Sequence, residues 1–286
     1  MMGGIPLGTL ERDGATPSVL ALHGFGATPE EVLLVVEVAC ELGLRTLAPL
    51  LPGHGVSVQD LARTRWGDWR GGAESALDQL SRAGGPVIVV GSSMGSLLAL
   101  ELAADRPGDV LAVGVLSSAI RLHWPFPSLA LQVVCGLGVP DFALPKAGAD
   151  IRDAVLRPTQ VTYEAQPAYA GNEVRLAGRR IEKRLGEIRC PAFIAHGKLD
   201  HVCPVGNARR VYAGLGTPAW EKELSILPRS YHIITRDVER GLLRTQLHRF
   251  LARLLPLARA RAIQPPVEPY PPPALSVSDR RSVSSN

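Results

Sequence analysis

Residues 86–104, PVIVVGSSMGSLLALELAA, constrain the fold of this chain more than any other stretch. Val87, Ile88, Val89 and Val90 make an uncharged, β-branched run suited to a buried strand. Leu97, Leu98, Leu100, Glu101, Leu102 and Ala103 favour helix. Between them lies a Gly-x-Ser-x-Gly turn, Gly91-Ser92-Ser93-Met94-Gly95. A strand passing this abruptly into a helix strains the backbone of its central residue, and only small residues fit two positions before and after it. That context makes the stretch a nucleophile elbow, which lifts the Ser93 hydroxyl above the edge of a sheet with Gly91 and Gly95 as its close-packed flanks.

The rest of the chain alternates around it. Val19–Leu22 reads as a short strand ending at His23-Gly24-Phe25-Gly26. A helix is expected from Pro29 to about Leu42, with Thr28 as N-cap and Glu30 and Glu31 favoured by the helix dipole. Leu44–Leu51 is the next expected strand. Trp66–Arg82 has helical spacing, with Trp66, Trp69, Ala73, Ala76, Leu77 and Leu80 on one face. Val110–Leu116 is a further strand. After Ser118 the alternation stops, and it resumes with a strand at Ala192–Ala195, a helix near Val205–Ala213, a strand near Leu224–Leu227 and a last helix from Val238 to about Leu255. Single helices between strands imply crossovers, hence an α/β fold with a mostly parallel sheet covered on both faces. The expected division is a core over 1–119 and 190–256, a small helical cap inserted over 120–189, and a disordered Pro/Ser-rich tail over 257–286.

Composition excludes several classes. A hydrophobic content of 46% and a mean hydropathy of +0.11 suit a large buried core, and a formal charge of +4 with scattered basic residues gives no nucleic-acid surface. Cys40, Cys135, Cys190 and Cys203 lack metal or redox spacing, so reduced thiols in a cytoplasmic protein are expected. The first residues lack the pattern of a signal peptide. Leu122–Pro140 carries no Asp, Glu, Lys or Arg, but Pro125, Pro127, Gly136, Gly138 and Pro140 interrupt it, so no transmembrane segment is expected.

A serine hydroxyl needs a base, and the base needs an orienting acid. In this kind of sheet the chain order is nucleophile, acid, histidine. Asp200 follows a strand end in HGKLD, and His232 lies between the last strand and the last helix, both at the carboxyl edge where ligands bind. Asp237 is the rival acid, explained otherwise as a helix-terminal carboxylate. Two backbone donors are required for the developing oxyanion: the N–H of Met94 and, from the loop after the first long strand, that of Phe25.

With these motifs in place, the chain resembles the α/β-hydrolase superfamily. Within that superfamily it is similar to the small-cap bacterial carboxylesterases and monoacylglycerol lipases, of the serine aminopeptidase S33-like group. The resemblance rests on LHGFGATPEE (22–31), APLLPGHG (48–55), Trp66-Gly67-Asp68-Trp69, VVGSSMGS (89–96), HGKLDHVCP (196–204) and SYHIITRD (230–237), and spans about residues 17–255. It implies Ser93, Asp200 and His232 as a triad, with Phe25 and Met94 as oxyanion donors. Ser96 stands where the family often has a second glycine. The resemblance implies cleavage of small-molecule carboxylic esters through an acyl-enzyme, without cofactor or metal, by a monomer or homodimer. Thioesterase, acyltransferase and proline-type aminopeptidase activities use the same triad, and a non-catalytic binding protein is the reading from another class. The cap sequence matches poorly. Its uncharged stretch, with Trp124, Phe126, Leu129, Val133 and Leu137 foremost and Leu131, Val134, Val139 and Phe142 beside them, is expected to line an apolar cleft above Ser93.

Overall fold

The structure, a computed structural model, describes residues 8–123, 137 and 141–263. Its frame is a seven-stranded sheet. In chain order the strands are β1 (Leu10–Arg12), β2 (Ala15–Leu22), β3 (Leu44–Ala48), β4 (Val87–Ser92) and β5 (Val110–Leu116). A two-stranded antiparallel hairpin follows, β6 (Ala143–Pro145) with β7 (Ala165–Pro167), and then β8 (Ala192–Gly197) and β9 (Lys222–Leu227) complete the large sheet. The order across that sheet is β1-β3-β2-β4-β5-β8-β9, with only β1 antiparallel to its neighbour. Strand β4, which delivers Ser93, therefore sits at the centre.

The helices are α1 (Leu33–Glu41), α2 (Val58–Ala62), α3 (Trp66–Arg82), α4 (Met94–Asp105), α5 (Ala168–Glu182), α6 (Gly206–Gly214) and α7 (Arg240–Ile263). Period-two alternation along the strands divides the core in two. Leu20, Leu22, Val87 and Val89 face α3 and α4, with Trp69, Leu77 and Leu97 fully buried against them. Val19, Ala21, Ile88 and Val90 face the opposite way, onto α1 and α7, with Val35, Leu247 and Phe250. The six apolar positions expected on one face of α3 are all buried.

Several expectations need correction. The segment between β5 and β8 is not purely helical: it contains the β6–β7 hairpin before α5, and α5 packs onto the elbow helix α4. The helix expected from Pro29 begins as a 3-10 turn, Pro29–Val32, and Thr28 makes no side-chain cap hydrogen bond. Helix α7 runs through Pro256 to Ile263, so the tail boundary expected at 257 falls inside a helix; residues 264–286 lie outside the described residues.

Behind the oxyanion loop, two buried imidazoles support the fold. His23 Nε2 accepts the Leu51 N–H at 3.1 Å while Nδ1 lies 2.9 Å from the Gly24 carbonyl. This is the pattern of a neutral ring protonated at Nδ1. Burial and the neighbouring His54 push the His23 pKa down to about 3, and burial pushes that of His54 down to about 4. In the unfolded chain both titrate near 6.5, so below that pH the unfolded state binds more protons. Stability from this pair is complete above about pH 6.5 and is lost as the pH falls toward 4. Glu31, whose folded pKa is raised by burial, acts in the opposite direction as one group against two, and His232, whose pKa Asp200 raises, opposes the pair only above about pH 6.5. The melting temperature should therefore drop steadily between pH 6 and pH 4. A flat profile over that range would show that neither ring is desolvated.

Candidate active site

The elbow forms because two glycines let backbones touch. A Cβ on Gly91 would stand 2.0 Å from the Gly95 carbonyl oxygen, and one on Gly95 would stand 2.1 Å from that of Leu22. Any side chain there would push α4 off the sheet. Ser93 between them takes φ 52° and ψ −116°, a left-handed conformation costly for a non-glycine residue and found where a site requires it. Its N–H is tied to the Leu116 carbonyl at 2.9 Å, and its carbonyl accepts the Ser96 hydroxyl at 2.6 Å, so Ser96 serves the turn rather than disturbing it.

The structure brings together the three residues singled out from sequence. His232 Nε2 lies 2.9 Å from Ser93 Oγ, and His232 Nδ1 lies 2.7 Å from Asp200 Oδ2. The other oxygen of Asp200 accepts the N–H groups of Val202 (2.8 Å) and Cys203 (2.7 Å), and His196 Nε2 sits 3.0 Å from Oδ2. Burial works against the Asp200 charge, but the His232 and His196 imidazoles outweigh it and hold the carboxyl below the usual carboxylate range. Burial likewise disfavours the His232 imidazolium. Asp200 foremost, then Glu31 and Asp150, overcome this and raise its pKa above the ordinary histidine value. The arrangement can take a proton from Ser93 and stabilise the cation that results.

Met94 is the first residue of α4, so its N–H has no intrahelical acceptor and points from the positive end of the helix dipole. The Phe25 N–H makes no backbone hydrogen bond among the described residues. Phe25 borders the cavity that holds Ser93 and His232, a space of about 230 Å³, and Met94 directly follows Ser93 in the chain. One wall is apolar, from Leu122, Leu144, Val174, Val202 and Ile233; the other is polar, from Glu31, Lys146, Asp150, Gln166 and His201.

The residues expected to line the cleft fare differently. Trp124, Phe126, Leu129 and Val133 lie outside the described residues, as do Leu131, Val134 and Val139. Leu137 is 74% exposed in a turn, and Phe142 is 37% exposed. Neither borders the cavity, because both side chains turn to solvent. Sequence reasoning also missed the polar wall. Glu31 had a sufficient local explanation as a first-turn acid, and nothing near Lys146 or Asp150 signals the site.

Asp237 is not the orienting acid, and neither is it a simple helix-terminal charge. Fully buried, it accepts the N–H groups of Arg152 and Asp153 at 3.0 Å, Val238 at 2.7 Å and Tyr231 at 2.6 Å. It thus ties the segment after β6 to the loop that carries His232. Asp150 extends the tie: its Oδ2 accepts the N–H groups of His201 (3.0 Å) and His232 (3.1 Å).

Asp200, Cys203 and His232 place ligand-type atoms within 4.8 Å of one another. Asp200 and His232 are already engaged with each other. Burial, with Asp200 and Asp150 nearby, pushes the Cys203 thiol well above its ordinary pKa, away from the thiolate a metal needs. The trio reads as part of the proton-transfer array.

A family model described as serine aminopeptidase, S33, matches residues 14–239. The chain belongs to this family of α/β-hydrolases. It is 29% identical over 235 residues to a thermostable monoacylglycerol lipase of Bacillus sp. (strain H-257), covering 82% of this chain and 90% of that protein. To a carboxylesterase of Bacillus subtilis it is 24% identical, over 84% of this chain and 94% of the relative. Among solved structures, one from the metagenome-derived lipolytic enzymes LipS and LipT superposes with a TM-score of 0.79 at 27% identity, covering 86% of this chain and 98% of that one. Among the described residues of this family member, no helix is long and apolar enough to cross a membrane.

The Asp237 network makes a separable prediction. Asp237→Asn replaces one charged acceptor with a donor that faces backbone N–H groups, and should cost about 1–3 kcal/mol of stability in urea unfolding. A loss within about 0.5 kcal/mol, the usual range for a surface substitution, would show that the four donors find other acceptors.

Proposed function

We propose that this chain cleaves carboxylic esters through an acyl-enzyme on Ser93, with His232 as general base and acid and Asp200 as its orienting partner. The observation that carries the reading is the continuous path Ser93 Oγ–His232 Nε2, His232 Nδ1–Asp200 Oδ2, at 2.9 and 2.7 Å. As Ser93 Oγ attacks the ester carbonyl, its proton passes to His232 Nε2, and the N–H groups of Phe25 and Met94 hold the tetrahedral oxyanion. When the C–O bond breaks, His232 returns the proton to the leaving alcohol and the acyl group remains on Ser93. Water then attacks the acyl-enzyme, giving its proton to His232, and collapse releases the acid with Ser93 reprotonated. Every proton in these steps passes between Ser93, His232, the substrate and water.

The acyl group is proposed to be a medium-length chain, in esters such as monoacylglycerols. The apolar wall of the cavity supports this, as do relatives matched over most of their length and named as a monoacylglycerol lipase and a carboxylesterase. Those names favour esters over the thioester and peptide substrates that the same three groups could attack. In this reading the segment between β5 and β8 is a cap over the site. All three functional side chains come from one chain, which supports a monomer or homodimer. Reduced thiols such as Cys203 support a cytoplasmic setting.

Two measurements test the reading. Ser93→Ala should lower kcat about 10⁴-fold and abolish labelling by a fluorophosphonate probe, and Asp200→Asn should lower kcat at least about 10³-fold, with folding intact in both. Substantial turnover by Ser93→Ala would end the acyl-enzyme mechanism. For the acyl group, each methylene buried against the apolar wall contributes at most about 0.8 kcal/mol, nearly fourfold in kcat/KM. The cavity is smaller than the roughly 300–1,000 Å³ of drug-sized sites. Across p-nitrophenyl esters of two to sixteen carbons, kcat/KM should therefore rise from acetate to a maximum near eight. A maximum at acetate would reject the monoacylglycerol assignment and leave the triad standing.

A further inference from the structure

Resting on that reading of Ser93, we propose that Glu31 and Lys146 are a charge-balanced positioning pair on the polar lining of the cavity. Glu31 fixes the oxyanion loop against the elbow, and Lys146 cancels the charge that would otherwise oppose the oxyanion.

Glu31 stands where a carboxylate serves both halves of the oxyanion hole. Its Oε1 accepts the Gly24 N–H at 3.0 Å, one residue before the Phe25 donor. The Ser92 side chain, one residue before Ser93, stands near enough to favour the charged form of Glu31. The spacing is tight: the point a Gly24 Cβ would occupy lies 2.9 Å from Glu31 Oε1 and 3.2 Å from Ser93 Cβ. Charged acceptors make the stronger hydrogen bonds, so one carboxylate holds the loop and the elbow in register. Since the two donors must sit about 3 Å from the oxyanion, this register matters to rate.

The same carboxylate is a liability. It is only 4% exposed, and it stands close to the place where negative charge develops during attack. Lys146 offers the compensation. It follows β6 in the cap, lines the same cavity as Glu31, Ser93 and His232, and is held by the Thr162 hydroxyl 2.6 Å from its Nζ. Glu31 and Asp150 both favour its charged form against the cost of burial. Among the described residues Glu31 and Lys146 make no direct ion pair, so the ammonium acts through the cavity. A substrate filling that space displaces water and lowers the local dielectric, which strengthens both the repulsion from Glu31 and its cancellation by Lys146. The effect is greatest in the transition state and belongs in kcat.

The test is a double-mutant cycle on the full chain with one soluble p-nitrophenyl ester. K146M leaves Glu31 uncompensated and should lower kcat about tenfold with KM within about twofold. In E31Q the amide oxygen still accepts the Gly24 N–H and the charge is gone. The E31Q/K146M double variant should therefore recover to within about threefold of E31Q, exceeding K146M. K146R retains the positive charge and should lie above K146M. A lysine that merely props the cap hairpin through Thr162 would raise KM and lower the melting temperature, with no rescue by E31Q. Wild-type kcat in K146M, or losses that add in the double variant, would overturn the pair. Should K146M not fold, K146Q carries the same comparison. Fluorophosphonate labelling of the wild type at Ser93 separates the two levels: without it the acyl-enzyme reading fails, and with it a normal K146M defeats only the pair.

Discussion

The backbone of Ser93 can hold its left-handed conformation only because β4 and α4 are fixed on both sides of it. Gly91 and Gly95 remove the Cβ atoms that would separate the helix from the sheet, and the Ser93 N–H is tied to the next strand. The strain of one non-glycine residue at positive φ is of order 1–3 kcal/mol, a sum the surrounding apolar contacts must exceed. They do so because α4 is buried on nearly every side, by the sheet beneath and by α5 above. Removing α5 would expose apolar residues of α4, so α5 contributes to the elbow as well as to the cavity.

A second constraint is electrostatic. Asp200, Glu31 and Asp150 gather around the His232 imidazole, with Lys146 as the lysine on the wall of the adjoining cavity. Each of the three carboxylates accepts backbone N–H groups from the loops around the site: Asp200 from 202–203, Glu31 from Gly24, Asp150 from 201 and 232. Their charges are therefore used twice, once to fix loop geometry and once to favour the imidazolium. This explains how a histidine buried among apolar side chains keeps a raised pKa, when burial alone would depress it.

The parts of this arrangement that were legible in sequence are those encoded locally. The elbow announces itself through a β-branched run, two glycines and a helix-forming run within nineteen residues. Asp200 and His232 were recoverable because each follows a strand at the same sheet edge, where chain order assigns their roles. The β6–β7 hairpin was not, since Ala143–Pro145 and Ala165–Pro167 are short, proline-bearing and poor in β-branched residues. Pro256 suggested a helix end that the structure does not have, because one missing N–H late in α7 is tolerated. The polar wall is the clearest gap. Glu31 comes from one segment and Lys146 and Asp150 from another far along the chain, and only tertiary structure brings them to one cavity.

That origin divides the segment between β5 and β8 by what its residues touch. The stretch from Lys146 to Asp153 contacts the His232 loop through backbone groups: the Ile233 N–H reaches the Asp150 carbonyl, and Asp237 takes the N–H groups of Arg152 and Asp153. Changes there act on the geometry of the base. The apolar side chains of Leu144 and Val174 border the cavity without such ties. Changes there alter the volume and shape offered to an acyl chain while leaving the proton path in place. In the proposed cap, substrate choice can therefore drift along one part while the other, held by Asp150 and the buried Asp237, keeps His232 2.9 Å from Ser93.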